Sequence, residues 1–125
     1  MRPDAARVAD ILDCAKALAE RFARHDPTSL MGTPDAVKAT FYDVIVMGEA
    51  MRDLVVRKNQ WGEKIGEDAP IVRDNPQIPW TGWVGMRDMV THQYFRAAPE
   101  LVWRDHKSGE LGKLIDCCEV WLKDV

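Results

Sequence analysis

The apolar residues recur with the period of an α-helix along most of the chain. Val8, Ile11, Leu12, Ala15, Leu18, Ala19 and Phe22 fall at i, i+3, i+4, i+7 spacing and make one continuous stripe. Pro3 suits a first helical turn and Asp4 complements the helix dipole. This first helix should stop near His25-Asp26-Pro27, because the residue before a proline avoids the α region. Thr33-Pro34-Asp35 signals the next start. The second helix is expected to run to about Lys58, with Val37, Phe41, Val44, Met51, Leu54 and Val55 on its buried side. Gly48 lies inside it. An interior glycine costs ~1 kcal/mol relative to alanine, and close approach of a neighbouring helix is the ordinary reason for one.

Residues 59–78 break the pattern. Gly62, Gly66, Pro70, Pro76 and, just beyond, Pro79 punctuate this stretch. It reads as a loop with one short helical turn around Glu63–Ile65. Pro79-Trp80 opens a third helix, carried by Val84, Met86, Met89 and Val90 to about Tyr94. After a connector at residues 96–98, Pro99-Glu100 begins another helix, which Gly109 and Gly112 weaken. Leu111, Leu114, Ile115, Cys118, Trp121 and Leu122 then restore strong periodicity. No convincing length alternates with period two. The pattern predicts an all-α fold, an up-and-down bundle of four to five helices.

Length and composition sharpen this picture. The 125 residues fit one domain spanning 1–125, and the 46% apolar content is enough for a real core. No apolar run approaches the ~18 residues of a membrane span. The N-terminus lacks the apolar segment of a signal peptide, so a cytoplasmic location and no membrane partner are expected. Cys14, Cys117 and Cys118 are odd in number, two of them adjacent, and fall on or beside apolar faces. They read as reduced core thiols rather than a disulfide framework. No Cys or His pair has zinc spacing, and neither a metal nor another cofactor is expected. The net charge of −3 counts against tight, charge-driven nucleic-acid binding by a monomer, but not against a small local site. Most of the tryptophans read as core or interface anchors rather than base-stacking platforms. Trp80 and Trp83, three apart, suit an apolar seam of a two-fold dimer.

The candidate chemistry lies between Ile78 and Phe95. Arg87, Asp88, His92 and Tyr94 fall within eight residues. On an ideal helix Arg87, Thr91 and Tyr94 share a face, and Asp88 and His92 form an i, i+4 pair beside it. Arg87 and His92 lie roughly 140° apart around the axis. One straight helix does not aim both at the same point. A two-fold dimer would assemble a composite pocket from two copies, or a frayed helix end would turn His92 inward. An Arg-x4-His pair alone is a weak signal. Taken singly, Arg87 reads as a surface ion-pair residue, His92 as a structural group and Asp88 as a solvated carboxylate. Tyr94 would then anchor a helix end by its ring. His25 and His106 have no motif around them.

The wider context resembles the HepT-like group of the HEPN superfamily. Those proteins carry an arginine, a polar residue, a short spacer and then His-x-Tyr, matched here by Arg87-Asp88-Met89-Val90-Thr91-His92-Gln93-Tyr94. Ile78-Pro79-Trp80, Gly85-Met86, Met47-Gly48-Glu49-Ala50, Val8-Ala9-Asp10-Ile11-Leu12 and Pro99-Glu100-Leu101-Val102-Trp103 also look like the group, in the right order. Gln93 departs from the small residue usual there, and Gly112 from a frequent proline. The resemblance implies a toxin that is a metal-independent endoribonuclease, with its site at a homodimer interface. RNA supplies its own nucleophile, the 2′-hydroxyl. His92 would be the acid and base, since imidazole ordinarily titrates near about 6.5. Arg87 would brace the developing charge with its planar guanidinium. Asp88 would orient His92 and favour its charged form. Glu49 either supports the Arg87 pocket or is a solvated carboxylate. The resemblance further implies a nucleotidyltransferase antitoxin of the MntA type as partner, transferring AMP to Tyr94 and placing negative charge where RNA phosphate would bind. Two other readings remain open. One is a non-catalytic binding or substrate subunit of a minimal nucleotidyltransferase complex; the other is a structural helical dimer with no site.

Overall fold

A computed structural model describes residues 3–55, 57–92 and 97–125. The described residues form seven helices and one two-stranded ribbon. The helices are α1 (Pro3–Arg24), α2 (Pro27–Met31), α3 (Pro34–Leu54), α4 (Pro70–Asp74), α5 (Trp80–Thr91), α6 (Ala98–Ser108) and α7 (Glu110–Lys123). Five of them are long enough to make the bundle expected from the periodicity. α1 lies at its centre, packed against α3 and α7, and α3 packs in turn against α5. The α1 stripe carries the core: Val8, Ile11, Ala15 and Leu18 are fully buried and Phe22 nearly so. Cys14 and Cys118 are buried free thiols and Cys117 is partly covered, as expected of reduced core cysteines.

The structure moves several boundaries. α2 fills a stretch that carried no apolar stripe. Its signal is local: the Asp26 carboxylate caps the Ser29 N–H at 2.8 Å, and Pro27 takes the first turn. α3 ends at Leu54, not near Lys58. Val55 turns extended, and the Leu54 carbonyl accepts from the Ala69 N–H at 2.7 Å as the chain returns. That long-range bond closes the helix end, and no local sequence signal reports it. The turn of helix expected at Glu63–Ile65 is instead part of a hairpin. Arg57 pairs with Ile65 and Lys58 with Lys64, antiparallel. Asn59 builds its turn, its side-chain oxygen accepting from the Trp61 and Glu63 N–H groups, and Gly62 supplies the positive φ. The helical turn of this region lies at Pro70–Asp74. Asn75 ties it to α5, bonding the Ile71 carbonyl through its side chain and the Trp80 indole N–H through its own carbonyl.

Gly109, at φ 87°, ends α6 and starts α7, so the weak point in the sequence is a sharp break between two helices. Trp80 and Trp83 are only 4% and 3% exposed. They belong to the protomer's own core and are not available as the seam of a dimer. Trp103 leans on Phe22 and carries the Lys107 ammonium over its ring. Among the described residues no helix is long and apolar enough to cross a membrane.

Candidate active site on helix α5

The seam between α3 and α5 holds the candidate site. Its geometry begins with Gly48. A Cβ built there would collide with Arg87 Cβ, lie 2.8 Å from Arg87 Cγ and come within 3.2 Å of the Trp83 carbonyl oxygen. The missing side chain lets the root of Arg87 sit against the α3 backbone, which is the close approach expected of an interior glycine. Arg87 is thereby placed by backbone packing rather than by its flexible tip. Its guanidinium pairs with Glu49, the neighbour of that glycine, and with the Asp88 carboxylate at 3.0 Å. Glu49 thus pairs with Arg87 while its own side chain stays 47% exposed. Arg87 is 21% exposed, and its Nε is buried without a hydrogen-bond partner among the described residues.

Asp88 plays two parts through two groups. Its carboxylate oxygen Oδ1 accepts from Arg87 Nη1 and, at 2.8 Å, from Arg52 Nη2 of α3. The hydrogen bond from Arg87, aided by the charges of both arginines, holds the Asp88 carboxyl below the usual carboxylate range. The carboxylate is thus engaged by arginines. The expected orientation of His92 comes from the Asp88 backbone carbonyl. His92 caps the C-terminus of α5 with φ −100° and ψ 23°, outside the helix. Its Nδ1 lies 2.7 Å from the Asp88 carbonyl oxygen. A carbonyl only accepts, so Nδ1 carries the proton and Nε2 of the neutral ring keeps its lone pair. The same carbonyl accepts the His92 N–H at 3.0 Å and the Thr91 hydroxyl at 3.1 Å.

The site residues thus divide. Arg87, Asp88 and Glu49 are brought together in the seam. His92 stands exposed at the helix end, tied to Asp88 by backbone. Tyr94 lies outside the described residues. The pattern of the sequence singled out no role for Arg52. Its signal was its place one helical turn beyond Gly48, on the side of α3 that meets α5. Among the described residues no group of three or more His, Cys, Asp or Glu side chains is arranged to hold a metal ion.

This arrangement offers an anchored guanidinium and an imidazole whose Nε2 keeps its lone pair, the groups a phosphodiester cleavage by internal attack requires. Neither the curated proteins nor the solved structures contain a significant match to the chain. The family described as ribonuclease HepT-like matches residues 11–120, a span that takes in α3, α5 and the whole Arg87–His92 element. The chain belongs to the HepT-like ribonuclease family.

Proposed function

We propose that this chain is a toxin-type, metal-independent endoribonuclease whose site is completed across a homodimer. The observation that carries the reading is the α5 geometry within a HepT-like ribonuclease. Arg87 is fixed by Gly48 and Glu49, and His92 stands at the helix end with Nδ1 on the Asp88 carbonyl, leaving the lone pair to Nε2. His92 Nε2 takes the proton of the RNA 2′-hydroxyl. The 2′-oxygen attacks phosphorus, the bond to the 5′-oxygen breaks, and a 2′,3′-cyclic phosphate remains. The leaving oxygen takes a proton from the imidazolium of a second copy, and Arg87 offsets the charge that builds on the phosphorane oxygens. A second copy also reconciles the seam position of Arg87 with the exposed His92.

Silencing by a nucleotidyltransferase antitoxin of the MntA type completes the reading. The Tyr94 phenol oxygen attacks the α-phosphorus of a nucleoside triphosphate, pyrophosphate leaves, and AMP remains on the ring. The added phosphate brings negative charge to the element that contains Arg87.

The test is cleavage of a labelled single-stranded RNA in EDTA by clean, unmodified protein. Wild type should cleave and leave cyclic phosphate ends. His92→Ala and Arg87→Ala should each lose about 100-fold or more while keeping the fold. Co-expression with the antitoxin should add AMP to wild type and not to Tyr94→Phe. A competing reading, a non-catalytic subunit of a nucleotidyltransferase complex, draws on one observation: Glu49 and Asp88 already match the charges of Arg87 and Arg52. No cleavage by protein whose intact mass shows a bare Tyr94 would decide for it.

A further inference from the structure

Two arginines from different helices share one carboxylate oxygen. Asp88 Oδ1 accepts from Arg87 Nη1 at 3.0 Å and from Arg52 Nη2 at 2.8 Å. Two guanidiniums repel at this separation, and the shared anion between them offsets the repulsion. The packing that brings them there is specific. Gly48 seats the root of Arg87 on α3, and Arg52 follows one turn later on the same side of that helix. The two cations differ in depth. Arg87 is 21% exposed and Arg52 43%, so Arg52 forms the solvent edge of the pair. An ion pair as open as Arg52–Asp88 contributes little to stability. Fold maintenance therefore does not account for a guanidinium held at this point.

We propose that Arg52 is a second phosphate-binding residue of the RNA site, gripping a phosphodiester beside the scissile one. RNA as the ligand rests on the nuclease reading above. In the free protein the Asp88 carboxylate occupies Arg52 as a phosphate oxygen would. When RNA binds, a phosphodiester oxygen takes over Arg52, and Asp88 continues to hold Arg87. Arg52 touches no reacting atom. It acts on affinity and register, which is how a chain of net charge −3 binds a polyanion through a small local patch.

The test uses a short single-stranded RNA with 2′-O-methyl groups, which removes the nucleophile, and fluorescence anisotropy over a NaCl series. Arg52→Ala should bind about five- to tenfold more weakly than wild type at low salt. The slope of log affinity against log salt should shrink by about 0.7, one phosphate contact on a single strand. Arg52→Lys should restore the slope and only part of the affinity, because it keeps the charge and loses the planar fork. With cleavable RNA, Arg52→Ala should raise KM and leave kcat within about twofold. Unchanged affinity and slope in a folded Arg52→Ala protein would overturn the proposal, as would a loss confined to kcat. So would wild-type protein that binds no RNA. Wild type that binds without cleaving, with the slope still lost in Arg52→Ala, would sink the nuclease reading and uphold the role of Arg52.

Discussion

Replacing Gly48 with alanine tests the contact on which the site is built. In an ordinary helix interior the change would be favourable by ~1 kcal/mol. Here the added Cβ meets Arg87 Cβ and Cγ and the Trp83 carbonyl oxygen. The Cβ of Arg87 is fixed to its backbone, and no rotamer moves it aside. α3 and α5 must separate. Overpacking of this kind costs ~1–3 kcal/mol. The upper end applies, because the obstacle is the root of a side chain together with backbone. After the gain in helix propensity, the net loss is about 2 kcal/mol. For a chain of this length that corresponds to a fall in Tm of roughly 8 °C. Thermal and urea unfolding measure it, with the urea m-value unchanged if the native fold persists. Ribonuclease activity should fall further than the folded fraction, since the shift carries Arg87 away from Glu49. Gly112→Ala serves as the control: among the described residues no packing neighbour lies within 4 Å of its added Cβ, so it should stabilise by up to ~1 kcal/mol. A Gly48→Ala protein as stable as wild type would refute the close approach and, with it, the anchoring of Arg87.

Two further outcomes follow from the core. Asp43 faces Arg21 at 2.9 Å between α1 and α3, with side chains only 9% and 13% exposed. Asp43→Ala should cost about 3 kcal/mol by stranding the guanidinium, nearly independent of added NaCl in urea unfolding; a loss under about 1 kcal/mol would mean that Arg21 escapes to water. Burial, with Asp43 adding for Cys14, pushes the thiols of Cys14 and Cys118 up to about 12 from 9.0. Both stay protonated where an unfolded thiol ionises, so they should resist iodoacetamide at mildly alkaline pH, and Cys117 should react first. The same raised values mean that their contribution to stability is present below about pH 9 and is lost as pH rises through the folded values. Rapid native labelling of Cys14 would show that α1 and α3 do not stay packed.

The sequence alone determined the class of fold and marked out the element that carries the candidate chemistry. The α1 stripe from Val8 to Phe22 and the α7 stripe from Leu111 to Leu122 were legible because helical periodicity is a local property of the chain. So was the end of α1, which Pro27 dictates. The Arg87–Tyr94 element was visible as a motif, and Gly48 announced a close approach without naming its partner. Tertiary structure decided what those residues touch. It ended α3 at Leu54 with a hydrogen bond from Ala69, turned 57–65 into a hairpin, and buried Trp80 and Trp83 inside the protomer. It joined Glu49 and Arg52, on α3, to Arg87 and Asp88, on α5, across nearly forty positions of chain. It also gave the orientation of His92 to a backbone carbonyl, where the sequence had offered a carboxylate. A helix pattern fixes which face a residue occupies. Which atoms meet across two faces depends on helix ends and on how closely the axes pass, and here a single missing Cβ sets that distance.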